Sequence, residues 1–337
     1  MDSETRLARA KQAVLAHQDA VDAAPSDALA SALAAHTTPD CPFHTTAPFP
    51  EQLTAEGAEA QVWAPLRAAL GPLQRRPDIF LAGPNDLDGG ATTWVVSMGH
   101  LMGLFRGPLF GVRPTGRAAL LRYCAFYQVE GDRIADVTLF LDAMNFMALN
   151  GAEAVPQSTA TTLITPGPRT HDGLLYTPTP AAEGEITLRL FQRMINRLLD
   201  ANVETTTTDL SLDWTPDMIW WGPGGIGAPY TQQGYLDQHC VPFERGLTWG
   251  TFFGHRCEIA EGNFGGFFGW PTFDVLSNGG YIGLAPKSDR PATMRVVDLY
   301  RRAGDKIAEN WNFIDHLHFL EQLGVDLIAR QRALTGL

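Results

Sequence analysis

The chain has 337 residues, a hydrophobic fraction of 45%, a charged fraction of 18% and a formal net charge of −12. That length allows two ordinary cores, and that composition is too apolar for general disorder. With only 25 Lys and Arg and no basic run, neither nucleic acid nor an anionic membrane surface is an expected partner.

The N-terminal stretch MDSETRLARAKQAVLAHQD is charged and amphipathic, unlike a secretory signal. No segment approaches the roughly 18 consecutive apolar residues of a membrane span. Cys41, Cys124, Cys240 and Cys257 are scattered, with no CxxC pair. Free thiols in a reducing, cytoplasmic compartment are the reading that follows.

Residues 151–184 are dense in Pro, Thr, Ala and Gly and read as an extended linker between domains at 1–150 and 185–337. The two flanks repeat one another. Arg122, Gly131, Asp132, Ile134, Ala135, Phe140 and Asp142 recur as Arg295, Gly304, Asp305, Ile307, Ala308, Phe313 and Asp315, at a constant offset of 173. Earlier, Thr38-Pro39-Asp40, Pro65 and Leu70 recur at offset 177 as Thr215-Pro216-Asp217, Pro242 and Leu247. Such spacing indicates an internal duplication.

In the second copy, Ile186, Leu190, Met194 and Leu198 give a helical period over 185–202. WTPDMIWWG reads as a short strand, and TQQGYLDQHCVPFERGL as one or two helices. Strands are expected at Thr251–Ile259, Asn263–Phe268 and Met294–Arg301. Gly304-Asp305 turns into a last strand, Lys306–Ile314, and HLHFLEQLGVDLIARQ closes the copy as a helix. Helix, antiparallel strands, helix describes an α+β domain whose curved sheet wraps around helices and encloses a cavity.

The strings MIWWGPGGIG, GYLDQHCVPFERGL, EGNFGGFFGWP and MRVVDLYRRAGDKIAENWNFIDHLHFLEQLGVD resemble the SnoaL-like polyketide cyclases (ester cyclases) of the NTF2-like superfamily. The likeness covers 185–330 strongly and 5–150 more weakly, through GDRIADVTLFLDAMNFMALNG. It implies two tandem cone-shaped domains, the first degenerate. It also implies aldol-type ring closure without metal or organic cofactor, with a pocket carboxylate as acid/base. The family's catalytic Asp falls on Asp315.

On the residues themselves, alternation puts Trp311, Phe313 and Asp315 on one side of the last strand, and Asn310, Asn312 and Ile314 on the other. A carboxylate beside two aromatics on the cavity face suits general acid/base work. Equally, Asp315 stands where an Asp caps the following helix, and Asp142 matches it. His255, sharing a face with Phe253 and Cys257, is the second catalytic candidate, as a partner that tunes Asp315, as a group that shuttles the proton itself at neutral pH, or as a buried imidazole on a backbone carbonyl. Trp221, His239, Trp270, Trp311 and Phe313 are the candidate binding wall for a flat, hydrophobic or carbonyl-containing molecule. His316 and His318, two apart on a helix, do not share a face, and no third ligand completes a metal site. GPGGIG and GNFGGFFG lack the spacing of dinucleotide loops. His44 and His100 leave a second pocket open in the first copy.

Two function classes remain beside the enzyme: a non-catalytic binder of a small hydrophobic molecule, and an interaction scaffold with a filled second cavity. The two domains would form a pseudo-dimer within one chain, with association of two chains left open.

Overall fold

The structure, a computed structural model, describes residues 3–200 and 205–337. It divides into two compact units. One holds the chain up to Ala154, Pro166–Pro178 and Leu327–Leu337; the other holds Val155–Thr165 and Thr179–Asp326. The Pro/Thr-rich segment is thus shared: Leu174 bridges Phe80 in the first unit, and Thr161 bridges Ala228 in the second.

The first unit runs α1 (Ser3–Ala23), α2 (Leu29–Ala35), β1 (Phe43–Thr45), β2 (Gln52–Leu53), α3 (Ala55–Ala58), α4 (Ala64–Ala69), β3 (Gln74–Pro84), β4 (Thr93–Leu104), β5 (Ala118–Glu130), β6 (Arg133–Leu141) and α5 (Ala143–Leu149). The second runs α6 (Ala181–Asp200), α7 (Thr207–Asp213), β7 (Trp214–Trp221), α8 (Thr231–Tyr235), α9 (Val241–Gly246), β8 (Leu247–Phe252), β9 (Cys257–Glu261), β10 (Phe264–Ser277), β11 (Ala292–Ala303), β12 (Lys306–Ile314) and α10 (His316–Gln322). A last helix, α11 (Leu327–Thr335), belongs to the first unit.

Both sheets are mixed. The first has strand order β2-β1-β6-β5-β4-β3, and the second β7-β12-β11-β10-β8 with β9 also on β10. The short strands β1 and β7 lie parallel to β6 and β12, and the long strands pair antiparallel. Helices pack on each sheet: α1 against β3–β6, α6 against β9 and β10. Among the described residues, no helix is long and apolar enough to cross a membrane.

The offset of 173 reappears as geometry. Ala125 pairs with Leu139 and Tyr127 with Val137 in β5–β6, as Asp298 pairs with Asn312 and Tyr300 with Asn310 in β11–β12. The irregularities match too, falling after Gln128 and after Arg301. Gly131 and Gly304 both hold the tight turn at φ 64° and 63°, a region costly for any side chain with a Cβ. At offset 177, π-helical turns at Glu59–Trp63 and Leu236–Cys240 lead into α4 and α9, each with proline in its first turn.

Three expectations for the second half are corrected. The strand expected over Thr251–Ile259 is broken into β8 and β9, because the chain turns at Gly254 (φ 99°). Hence Phe253 is exposed and Cys257 buried rather than on one face with His255. The closing helix stops at Gln322 and restarts at Leu327, with Gly324 in the left-handed region between them. Helix α6 begins four residues before Glu185; Ala201 and Asn202, expected at its end, lie outside the described residues.

Candidate functional site

Strand alternation places Val296, Asp298 and Tyr300 of β11 beside Asn310, Asn312 and Ile314 of β12 on one face of the second sheet, and that face lines a cavity of about 200 Å³. β10 closes tightly on β11 because Gly266 has no side chain: a Cβ there would lie 2.0 Å from the Asp298 carbonyl oxygen. Aromatic rings make much of the wall, from β7 (Trp214, Trp220), the helical segment 231–246 (Tyr235, Phe243) and β8 and β10 (Trp249, Phe252, Phe267, Phe273). Trp249 and Phe252 are 53% and 41% exposed and mark the mouth.

Two carboxyl groups line this cavity: Glu244 is exposed, and Asp298 stands inside, among the rings. Asp298 Oδ1 accepts from Asn310 Nδ2 at 3.0 Å and from Asn312 Nδ2 at 2.9 Å. Among the described residues no donor reaches Oδ2, and that atom is not sealed from solvent. Burial pushes the carboxyl up to about 7, against the pull of the two amides. Near neutral pH, then, the protonated form of Asp298 is within reach. Two residues along, burial lifts the Tyr300 phenol well above its ordinary range, so its hydroxyl stays neutral.

His255 and His239 also line the cavity. His255 does not pair with Asp315. Its Nδ1 lies 2.7 Å from Glu258 Oε1, and its ring stacks on Phe267 at 3.8 Å. His239 stacks on Trp220 at 4.2 Å. Burial, then the neighbouring His316, lowers its pKa to about 3, so its imidazole is neutral.

The other expected residues lie elsewhere. Asp315 ends the strand and caps α10, accepting from His318 N at 3.2 Å, while its Oδ2 faces Arg295 Nη1 at 3.4 Å. Asp142 does the same in the first unit, capping α5 through Asn145 N at 3.0 Å and facing Arg122 at 3.5 Å. Trp311 and Phe313 are buried on the face of β12 away from the cavity. Trp221 pairs with Trp311 in the sheet, and Trp270 lies over the Arg295 guanidinium at 4.3 Å. His316 bonds Gly224 O and the Tyr281 hydroxyl, and His318 reaches Thr293. Among the described residues no three His, Cys, Asp or Glu side chains converge as a metal site requires.

The sequence reading does not single out Asp298, and the structure reverses the side it assigns to Asn310, Asn312 and Ile314. A signal is present: 173 residues earlier, in the same register, the chain has Ala125, Val137 and Leu139. Three coincident apolar-to-polar changes on buried strands mark a site, since buried polar groups are the informative exception. The first unit's interior holds a hollow of only about 20 Å³, lined by His44, Arg75, Tyr127, Val137 and Leu139 among others. Arg75 fills it, in a bidentate pair with Asp22 (2.9 Å twice) and under the Trp63 and Tyr123 rings. His100 lies 3.4 Å from Asp78, outside that hollow.

Residues 85–148 match the family model of the SnoaL-like polyketide cyclases. The match falls in the first unit, where the motif resemblance was the weaker one. No curated protein matches the chain. Among solved structures, an NTF2-like protein from Burkholderia thailandensis is 20% identical, covering 42% of this chain and 95% of its own, at TM-score 0.30. A Jannaschia protein assigned to the SnoaL-like polyketide cyclases is 18% identical, covering 45% and 98%, at TM-score 0.36. An NTF2-like protein from Burkholderia xenovorans is 11% identical, covering 42% and 96%, at TM-score 0.32.

Proposed function

We propose that the second unit is a cone-shaped, SnoaL-like domain that catalyses proton transfer on a small, flat carbonyl compound, and that Asp298 is its acid/base group. The observation that carries this is a buried carboxyl, raised to about 7, inside a largely aromatic cavity. A general acid/base works best when its pKa lies near the working pH, and burial supplies that here. Asn310 and Asn312 hold Oδ1, so the proton and the free lone pairs belong to Oδ2. Aromatic rings around it suit a planar ligand and keep water from competing. The cavity is smaller than the roughly 300 Å³ at the lower end of drug-sized sites, which favours a one- or two-ring compound over a long chain. Aldol-type ring closure of a polyketide-like molecule is one reaction of this class. The matched registers, caps and π turns support a tandem duplication in which the first copy kept the frame and closed its interior.

The test is exchange of the acidic α-protons of 2-tetralone, a two-ring ketone, followed by NMR in D₂O. The wild-type chain should accelerate deuteration, and Asp298→Asn should reduce the rate at least ~100-fold. Saturable binding of the ketone with no exchange above buffer would favour the non-catalytic binder. The open cavity already departs from the filled interior expected of a scaffold.

A further inference from the structure

Asp298 is not the sole titratable group on the cavity wall. His255 follows β8 in the connection to β9, and its imidazole is fixed on three sides. Phe267 stacks on it at 3.8 Å and 18° between planes, and Phe252 meets its edge at 5.3 Å. On the third side, Nδ1 faces Glu258 Oε1 at 2.7 Å. Glu258 is held in turn: its Oε2 accepts from Gln192 Nε2 at 2.7 Å, and Gln192 belongs to α6.

The chemistry of that chain fixes a tautomer. A carboxylate can only accept, so Nδ1 carries the hydrogen and the lone pair of the neutral ring sits on Nε2. Among the described residues Nε2 has no hydrogen-bond partner, and it is not among the buried, sealed atoms. It therefore opens to space, on a residue that lines the cavity. Asp298 Oδ2 has the same character, so these two residues present a basic nitrogen and a carboxyl oxygen, both without a partner among the described residues.

We propose that Glu258, steadied by Gln192, is a positioning residue that holds His255 as the Nδ1–H tautomer, and that the two free atoms divide the labour: His255 Nε2 takes a proton from carbon, and the Asp298 carboxylic acid protonates oxygen. This rests on the proton-transfer reading and assigns its substrate class, an enolisable ketone. The α-carbon's C–H pair becomes the new C=C bond, and the carbonyl π pair moves to oxygen. That oxygen takes the proton from Asp298 Oδ2. Imidazolium and carboxylate remain, and reversal returns a hydrogen to carbon. In D₂O the imidazolium exchanges with solvent, so the returned hydrogen is deuterium.

The full chain carrying Glu258→Gln tests this, with Gln192→Ala as a milder second variant. Long-range ¹H–¹⁵N NMR of the wild type near pH 8 should show His255 protonated at Nδ1. In Glu258→Gln a carboxamide N–H can face Nδ1, and a substantial share of Nε2–H tautomer should appear. The maximal rate of 2-tetralone deuteration should fall by about 10- to 100-fold, with KM within about twofold, as for loss of an oriented base. Gln192→Ala should move both readouts the same way by less. An unchanged tautomer and unchanged maximal rate in Glu258→Gln, while the wild type exchanges normally, would overturn the positioning role and leave Asp298 chemistry standing. No exchange by the wild type would instead contradict the proton-transfer reading itself, and the catalytic part of this proposal with it.

Discussion

The two units share a frame and differ in what the frame surrounds. In β5–β6, Ala125 pairs with Leu139, and Val137 and Leu139 line a hollow of about 20 Å³ with Tyr127 and Arg75. In β11–β12 the same register carries Asp298, Asn310 and Asn312 around about 200 Å³. What both keep is the closing hairpin, its Gly-Asp turn, and the Arg–Asp pair that caps the next helix. Features common to both units are the ones the fold requires; features in one unit alone are free to serve a ligand. On the function proposed above, that rule puts Asp315 with the frame and Asp298 with the site.

The likeness would break most visibly at the caps. Asp142→Ala and Asp315→Ala each remove a helix cap and the carboxylate facing a buried guanidinium. Each should cost about 3–5 kcal/mol, by a similar amount, in urea unfolding. Any loss of ketone exchange in Asp315→Ala should follow the unfolded fraction; a well-folded Asp315→Ala lacking exchange would return that residue to the chemistry.

The difference would be erased by Asp298→Ala with Asn310→Val and Asn312→Leu, which rewrites the second wall as the first. Exchange of 2-tetralone should fall at least ~100-fold, equivalent to about 2.7 kcal/mol. The melting temperature should hold or rise, because a desolvated carboxyl is removed. A stable triple variant that still exchanges would contradict the account.

A smaller effect separates the copies by pH. Between about pH 4 and 7 the unfolded chain ionises residue 298 while the folded chain, with that carboxyl near 7, keeps the proton. Stability therefore falls as pH rises through that window and levels above it. Asp298→Asn removes this loss, so its stability relative to wild type should improve as pH rises from 4 to 7, by at most about 1.4 kcal/mol per pH unit, and level above.

Smallest is an acid effect that both units share. Burial lowers His17 in the first and His239 in the second to about 3. Each stays neutral while the unfolded chain takes up a proton below about pH 6.5, so stability is lost as pH falls toward 4. His17→Gln and His239→Gln should each remove up to one proton equivalent from the slope of unfolding free energy against pH in that range. Unequal changes would show that the two interiors differ in more than their polar trio.

Much of the frame could be read from residues alone. The repeat located the hairpin Arg295–Asp315, and the strand Lys306–Ile314 is found with those bounds. His255 and His239 do line the cavity. The rest was hidden for physical reasons. A period of two says which residues share a face but not which face meets open space. Anchoring that choice on Asp315 reversed it, because Asp315 has already left the strand (φ −74°, ψ 71°) to cap α10. Gly254 broke a strand that composition alone would continue, and α11 packs by tertiary contacts that no local pattern encodes.

The measurement that bears most directly on Asp298 is a ¹³C NMR titration of its carboxyl in the full chain. The account predicts a midpoint near 7, with an Asn310→Ala, Asn312→Ala variant titrating higher still, since the amides favour the ionised form. A midpoint near the ordinary value of about 4 would mean the carboxyl is well solvated, and would contradict its role as the cavity's proton-transfer group.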